Sequence, residues 1–241
     1  MMQHEVFKFQ SIVNVIGTIV FNRREKMKLT NIQSEVIPSN YFAPRAYLQS
    51  EPSTGLLSTR QGNRLLAVPS LLLDSIQKTL LLEAGEAASM AFYTFGFGWG
   101  KSFYERVRKE IELYYETSIS LMNAPEFFAT LQQIWGVHGL GRIIVDFSFA
   151  KEGLLLVTIE NSGISTVQEA SVSKSFSLEA GLLGGWFSAQ THQDLSACAT
   201  DWFSQPQRTQ YLIGAKPQIQ QIEEKLITQG MRTTAILKKI S

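Results

Sequence analysis

Apolar positions recur every three or four residues between Glu83 and Tyr115, which is the spacing of an amphipathic helix. The second half of this segment also alternates in charge at helical spacing, as in the pair Lys101 and Glu105, so the charged side chains fall opposite the apolar ones. One long or kinked helix is therefore predicted. Similar patterns, marked by proline or glycine at their ends, predict further helices over residues 70–82, 125–134, 176–189 and 217–229.

The pattern changes to apolar, β-branched runs after the middle of the chain. Arg142 to Phe149 and Leu154 to Glu160 are separated by a short loop containing Gly153, which predicts a hairpin. Two further strands are predicted over residues 195–203 and 209–214, and a short one over 64–68. Helices grouped before and after an antiparallel sheet predict an α+β fold. Prolines between residues 32 and 64 favour an extended arm over the core.

Composition narrows the class of protein. With 241 residues, of which 44% are hydrophobic, the chain is long enough to bury a sizeable core. A net charge of +1 gives no field to attract a polyanion, so nucleic acid is not an expected partner. The apolar run from Ser11 to Phe21 is too short for a membrane-spanning helix, which needs about 20 apolar residues. Its basic residues follow it, unlike those of a secretory signal, and a cytoplasmic protein is expected.

Motifs for common chemistries are incomplete. The stretch from Gly96 to Ser102 resembles a phosphate-binding loop, but Phe95 stands where that loop requires glycine, and a helix precedes it. Its glycines instead predict close approach of backbone or ligand. The three histidines His4, His138 and His192 lie far apart, and the single cysteine, Cys198, is most simply a buried, inert thiol. No metal site is predicted.

Aromatic residues are concentrated in three segments that the fold could bring together. Phe92, Phe95 and Trp99 share one helix, Trp186 and Phe187 another, and Trp202 lies on a strand with Phe203. Rings that converge from separate segments can enclose an apolar ligand, or they can simply fill a packed core. The pattern alone leaves both interpretations open.

Four segments in order carry a resemblance to a known family: residues 82–88, residues 95–100, Glu160-Asn161-Ser162 and residues 179–188. This succession resembles the 4-vinyl reductase domain family. The resemblance implies an α+β fold, an antiparallel sheet packed with helices, shared with vesicle-tethering TRAPP subunits and with the sensory domains of phenol-responsive transcription activators. It also implies an apolar ligand held between helices and sheet, and a dimer with a second copy or with a related member of the same family.

The chain looks most like cyanobacterial family members linked to photosystem II assembly. That likeness implies a protein that binds a bilin or chlorophyll-type tetrapyrrole without catalysis. It also implies interaction with photosystem assembly proteins and peripheral association with the thylakoid membrane. Zinc is not carried over, because Leu195 stands near the family's glutamate position and only the first cysteine position is filled, by Cys198. The sequence carries no nucleotide-binding glycine fingerprint and no iron–sulfur cysteine set, so a reduction would need an external cofactor.

The expected ligand site follows from this resemblance. Trp99, Trp186 and Trp202 are expected to stack on the macrocycle, and His192 or Lys101 to meet a carboxylate or a central metal. The complete set of candidates is Phe92, Phe95, Trp99, Lys101, Phe103, Trp186, Phe187, His192, Cys198 and Trp202. The expected organisation is an N-terminal extension and arm (1–59), a ligand-binding domain (60–215), and a C-terminal helix and tail (216–241). An interaction module with a filled core, and a reductase that borrows a cofactor, are the alternatives.

Overall fold

The computed structural model of the protein describes residues 41–116, 119, 122, 124–164 and 177–240. These ranges contain seven helices and two antiparallel sheets, which confirms the predicted α+β class. The apolar run from Ser11 to Phe21 and the residue His4 lie outside the described residues. The division of the chain after residues 59 and 215 stays a prediction.

The larger sheet has four strands: β4 (Arg142–Asp146), β5 (Leu155–Glu160), β6 (Leu195–Ser204) and β7 (Gln207–Ala215). Their spatial order is β4-β5-β7-β6, and all neighbours are antiparallel. The predicted hairpin is confirmed, with Val145 opposite Val157. Alternate residues of each strand point to opposite faces, so this sheet can serve two separate cores.

Three helices cover one face of this sheet: α3 (Glu86–Tyr115), α4 (Ala124–Val137) and α5 (Ser177–Thr191). Helix α3 is continuous over 30 residues, as its periodicity predicts. It is separated from the preceding helix by Gly85, whose φ of 56° lies in the left-handed region that glycine tolerates best. None of the helices in the described part of the chain is both long enough and apolar enough to cross a membrane.

The other face of the sheet is covered by the C-terminal segment. One helix was expected over residues 217–229. The structure shows α6 (Lys216–Ile222), which continues as a π-helical stretch (Glu223–Ile227), and then a second helix, α7 (Thr233–Ile240). Gly230, with a φ of 75°, turns the chain between them.

The region expected to form an extended arm is more regular than its prolines suggest. A helical turn, α1 (Pro44–Tyr47), is followed by a small antiparallel sheet of β1 (Leu48–Glu51), β2 (Leu56–Thr59) and β3 (Arg64–Leu65). The prolines do not interrupt this sheet, because Pro44 occupies the first turn of α1 and Pro52 follows β1. Helix α2 (Ser70–Ala84) then leads into α3.

The alternation of side chains along β6 and β7 divides the buried residues into two clusters. Ala197 and Tyr211 point towards α3, α4 and α5, and belong to what we call the helical core. Cys198 and Leu212 point the other way and belong to the C-terminal core, beneath α6 and α7.

Candidate functional site

Glycines allow α3 and α5 to pack with their backbones in contact. A side chain at Gly96 or Gly100 would collide with the carbonyl oxygens of Leu178 and Leu182. The same is true in reverse, because a side chain at Gly181 or Gly185 would collide with the carbonyl oxygens of Tyr93 and Phe97. The close backbone approach predicted for this glycine-rich segment is therefore confirmed. The segment is not a phosphate-binding loop, because it lies inside α3.

This close packing brings large rings from three helices together. The ring centroid of Trp186, on α5, lies 5.1 Å from that of Phe103 and 5.4 Å from that of Tyr104, both on α3. Trp135, on α4, lies 5.0 Å from Trp186 and 6.0 Å from Phe103. The contacts made by Trp186 are edge-to-face, an arrangement that aromatic quadrupoles favour. We call these four residues the aromatic junction.

The two tryptophans of the junction carry polar atoms that the protein leaves unsatisfied. Trp135 and Trp186 are both completely buried. Among the described residues, neither Nε1 atom has a hydrogen-bond partner. An unpaired buried donor costs about 1–3 kcal/mol, so two of them beside each other are an exception that needs a reason.

His138 lies at the edge of the aromatic junction and is held neutral. Its ring centroid is 4.8 Å from that of Phe103. Nδ1 donates to the carbonyl oxygen of Ile134 at 2.8 Å, which leaves Nε2 to accept from the Arg106 guanidinium at 3.0 Å. Burial, together with the positive charge of Arg106, lowers the pKa of His138 to about 4. The imidazole is therefore uncharged at neutral pH.

A buried carboxylate connects this edge to the N-terminal sheet. Glu110, on α3, accepts hydrogen bonds from the hydroxyl of Tyr47 at 2.9 Å and from Nδ2 of Asn63 at 2.8 Å. The Tyr47 hydroxyl also lies 3.4 Å from Nε2 of His138, and burial raises the pKa of Tyr47. A charge of opposite sign is supplied by Arg106, whose Nε lies 3.9 Å from Glu110 Oε1. The charges beside the junction thus compensate one another.

A second buried carboxylate joins two of the segments that carry the family resemblance. Glu179, in the first turn of α5, accepts a hydrogen bond from Ser162 at 2.6 Å and another from the hydroxyl of Tyr211. Ser162 in turn accepts from the backbone N–H of Ile164 at 3.1 Å. A carboxylate at the start of a helix is also favoured by the helix dipole. This network fixes the start of α5 to the end of β5 and to the middle of β7.

The structure brings together four of the residues predicted to bind a ligand. Phe103, Trp186 and Phe187 are buried in the helical core. Trp99 is half-buried at its edge, where its ring stacks on that of Phe103 with centroids 6.4 Å apart.

The other candidates lie away from the aromatic junction or outside the core. On α3, Phe92 is half-buried, Phe95 is 66% exposed, and Lys101 is exposed with its Nζ 4.8 Å from the ring centroid of Phe97. His192 is exposed beyond the end of α5. Trp202 lies near the end of β6, where its ring contacts the guanidinium of Arg232 at 5.5 Å.

Cys198 is separated from the other candidates by the sheet itself, since its side chain belongs to the C-terminal core. Burial raises the pKa of this thiol well above its usual value, which keeps it in the unreactive protonated form. Within the described residues, no three histidine, cysteine, aspartate or glutamate side chains converge on a point that could hold a metal ion.

Trp135, Tyr104, His138 and Tyr47 lie at the site but are not among the residues predicted from the sequence. A signal for two of them is present, because Leu131, Trp135 and His138 recur at intervals of four and three and so fall on one side of α4 and of the turn that follows it. Tyr47 had no such signal, since its position depends on the fold of the N-terminal sheet against α3.

Comparison with known proteins identifies the fold. A crystal structure described as the phenol-responsive sensory domain of the transcription activator PoxR, with phenol, matches with a TM-score of 0.53 and 18% sequence identity, over 76% of this chain and 92% of that one. A vinyl-4-reductase family protein from Methanocaldococcus jannaschii is a weaker match, with a TM-score of 0.40 and 14% identity over 62% of this chain and 82% of that one. No family model and no curated protein sequence matches the chain. The chain therefore shares the fold of this sensory domain, as the resemblance implied.

Proposed function

We propose that the protein binds a small, neutral aromatic compound that carries a hydrogen-bond acceptor, and that the acceptor meets the indole N–H groups of Trp135 and Trp186. The observation that carries this proposal is the pair of completely buried Nε1 atoms without an acceptor among the described residues. A ligand oxygen that accepts from either group would recover the free energy lost by burying it unpaired.

The charges around the site favour a neutral ligand. His138 is uncharged, and its Nε2 already accepts from Arg106. Glu110 lies close to Arg106 and accepts from Tyr47. The donors that remain are neutral indoles, which match a phenolic or carbonyl oxygen better than a carboxylate.

The ring contacts leave no room for a ligand between the rings, so we place the ligand beside the aromatic junction. Phe103, Trp135 and Trp186 have centroids 5.0 to 6.0 Å apart, so these rings touch one another and cannot admit a further ring between them without moving apart. A compound beside the junction would be held by ring edges and faces, with its oxygen towards the indoles. The related fold of a sensory domain whose crystal structure contains phenol supports the choice of phenol as the first probe.

The larger ligand implied by the family resemblance, a bilin or chlorophyll-type tetrapyrrole, forms the second version of this proposal. A macrocycle is several times wider than one aromatic ring, so it would lie along the outer side of α3, where Phe95 is exposed and Trp99 half-buried. A role in photosystem II assembly belongs to this version. In both versions the protein binds its ligand without catalysis, in keeping with the missing nucleotide and iron–sulfur motifs.

Calorimetric titration of the full chain with phenol, substituted phenols and aromatic ketones tests the first version. Binding is expected in the wild type, and Trp135→Phe or Trp186→Phe should raise the Kd about tenfold, the equivalent of one lost hydrogen bond. Trp202→Phe is the matched control, since Trp202 lies at the far end of β6, and it should bind as the wild type does.

Two results would overturn the first version: no heat of binding with any of these compounds, or an unchanged Kd in both indole variants. Titration with biliverdin and chlorophyllide, followed by visible absorption, tests the second version. A red shift that Trp99→Ala abolishes would support it, and the absence of any shift would exclude it.

A further inference from the structure

We propose that residues 41–65, which we call the N-terminal cover, move away from the helical core to let a ligand reach the aromatic junction. This role rests on the proposed function, because it takes the junction as the binding site. Phe103, Trp135 and Trp186 are at most 4% exposed, so no compound reaches them from solvent unless some element moves. The contacts around the junction indicate which element that is.

Helices α3 and α5 are held together too firmly to part. Their glycines place backbone against backbone, so the contact contains no flexible side chain that could yield. Helix α5 is also anchored by the completely buried Glu179, which accepts hydrogen bonds from Ser162 and from Tyr211 on β7. Separating the two helices would break this packing and would leave a buried carboxylate with fewer partners, which is costly.

Helix α4 is held against the sheet. Its buried side chains, among them Leu131 and Ile134, belong to the helical core. At the edge of the sheet, Nε2 of Gln132 donates to the carbonyl oxygen of Ile143 on β4 at 3.1 Å. Moving α4 would expose its apolar face to water, and the burial of apolar surface is the main stabilising contribution to folding.

The edge of the junction at His138 is closed by the N-terminal cover, through contacts of a different kind. The ring of Tyr47 meets that of His138 with centroids 5.4 Å apart, and His138 in turn meets Phe103. Tyr47 is therefore the outer member of a path of rings that leads to the junction. Its hydroxyl and Nδ2 of Asn63 both donate to Glu110, so hydrogen bonds to one carboxylate hold the cover over this edge.

The cover has a second attachment, at the end of α3. The ring centroid of Tyr41 lies 4.4 Å from that of Tyr114, and the guanidinium of Arg60 lies 4.9 Å from the Tyr114 ring. Tyr114 lies about one helical turn beyond Glu110 and is not part of the junction. The Tyr47 end can therefore open while the cover stays attached at Tyr41.

Opening is least costly at this edge. Glu110 is only 4% exposed, and a buried carboxylate regains hydration when it is uncovered, which offsets the hydrogen bonds that it loses. The strands of the cover, β1 to β3, have two to four residues each, and most of these residues are exposed or half-buried. Segments with short strands and few buried contacts open at a lower free energy than the whole protein.

Modification of His138 by diethyl pyrocarbonate tests the opening without a ligand. The reagent acylates an accessible imidazole nitrogen, and Nε2 of His138 lies beneath the cover, 3.4 Å from the Tyr47 hydroxyl. Peptide mass spectrometry of the full chain should show that His138 reacts far more slowly than the exposed His192. Asn63→Ala removes a hydrogen bond to Glu110 and should raise the rate at His138 about tenfold.

Ser162→Ala is the matched control, because it also removes a hydrogen bond to a buried carboxylate, that of Glu179. It should leave the rate at His138 unchanged. The buried thiol of Cys198 reports unfolding of the whole chain and should stay unreactive towards N-ethylmaleimide in both variants. Equal rates at His138 in the two variants, or a rate that rises together with that of Cys198, would overturn the inference.

Stopped-flow tryptophan fluorescence during phenol binding tests whether the opening admits the ligand. Asn63→Ala should raise the association and dissociation rate constants together, about tenfold each, and leave the Kd unchanged, because the cover is closed in both the free and the bound protein. Ser162→Ala should change neither rate constant. Unchanged rate constants in Asn63→Ala would overturn the inference.

Failure of the proposed function has a different signature. Phenol would then not bind, whereas Asn63→Ala would still raise the reactivity of His138. That result would support the opening of the cover and reject phenol as the compound that it admits.

Discussion

The two cores on opposite faces of the sheet differ in chemistry. The helical core contains the aromatic junction and leaves the Nε1 atoms of Trp135 and Trp186 without partners among the described residues. The fully buried members of the C-terminal core are aliphatic except for Cys198. Polar groups at the edge of the C-terminal core are paired, Thr200 with Thr233 at 2.7 Å and Asp201 with Arg232 at 3.1 Å. Packing alone thus explains the C-terminal core, whereas the helical core retains two hydrogen-bond donors that packing does not explain.

The largest expected effect is at the glycine contact that supports the helical core. Gly185→Ala places a methyl group against the carbonyl oxygen of Phe97, and because that obstacle is backbone, α3 and α5 must separate. We expect a loss of about 3–5 kcal/mol in the free energy of unfolding, measured by urea denaturation.

Gly98→Ala provides the control on the same helix, since a side chain there meets open space. Its expected effect is a gain of up to about 1 kcal/mol from helix propensity. Equal effects of the two substitutions would show that the close approach of α3 and α5 does not constrain the fold.

The second-largest effect is expected in the C-terminal core, where packing alone determines it. Leu212→Ala removes a completely buried side chain from among aliphatic neighbours and should cost about 3 kcal/mol in the free energy of unfolding. Because Leu212 points away from the aromatic junction, the Kd for phenol should stay at the wild-type value under conditions where the variant is folded. A weakened affinity would mean that the two cores are not independent.

Most of the fold was predictable because its helices and strands have strong periodicity. Helix α3, the β4–β5 hairpin and α5 follow from apolar spacing and from glycines at their ends. The small N-terminal sheet does not follow from such patterns, because β3 pairs over only two residues and depends on contacts with α3 through Glu110. Helix α7 is not predicted from the sequence, because it spans only eight residues and so carries little periodicity of its own.

The candidate site was less predictable than the fold. Ring content draws attention to Phe103 and Trp186, which the structure places in contact, but exposure depends on how each helix is rotated, and Phe95 turns outward. Cys198 is a candidate because it fills the first cysteine position of the family resemblance, whereas the pleat of β6 sends its side chain to the opposite face of the sheet from the rings. An unpaired indole N–H is a property of three-dimensional surroundings and leaves no trace in sequence.

Acid should weaken the helical core through His138. Its pKa is about 4 in the folded state and near 6.5 in the unfolded chain, so between these values the unfolded state binds more protons. The stabilisation is complete above about pH 6.5 and is lost as the pH falls towards 4, at a cost of at most roughly 3 kcal/mol. Urea unfolding at pH 7 and pH 4.5 should show a larger loss in the wild type than in His138→Gln.

His192→Gln is the control for this measurement, because His192 is exposed. It should reproduce the wild-type dependence on pH. Since the C-terminal core, as defined here by its residues, includes no histidine, a pH dependence that His138→Gln leaves unchanged would have to arise elsewhere and would contradict the assignment.

The smallest expected effect is that of Trp186→Phe, and it tests most directly whether the two cores differ in hydrogen bonding. Trp186→Phe leaves a small void, at about 24 cal/mol for each Å³, but it also removes a buried donor whose lack of a partner costs about 1–3 kcal/mol. These terms oppose each other, so the free energy of unfolding should change by no more than about 1 kcal/mol. Urea denaturation without ligand measures this change. A loss above 3 kcal/mol would show that the indole N–H of Trp186 already has a partner. The two cores would then not differ in the pairing of their buried polar groups.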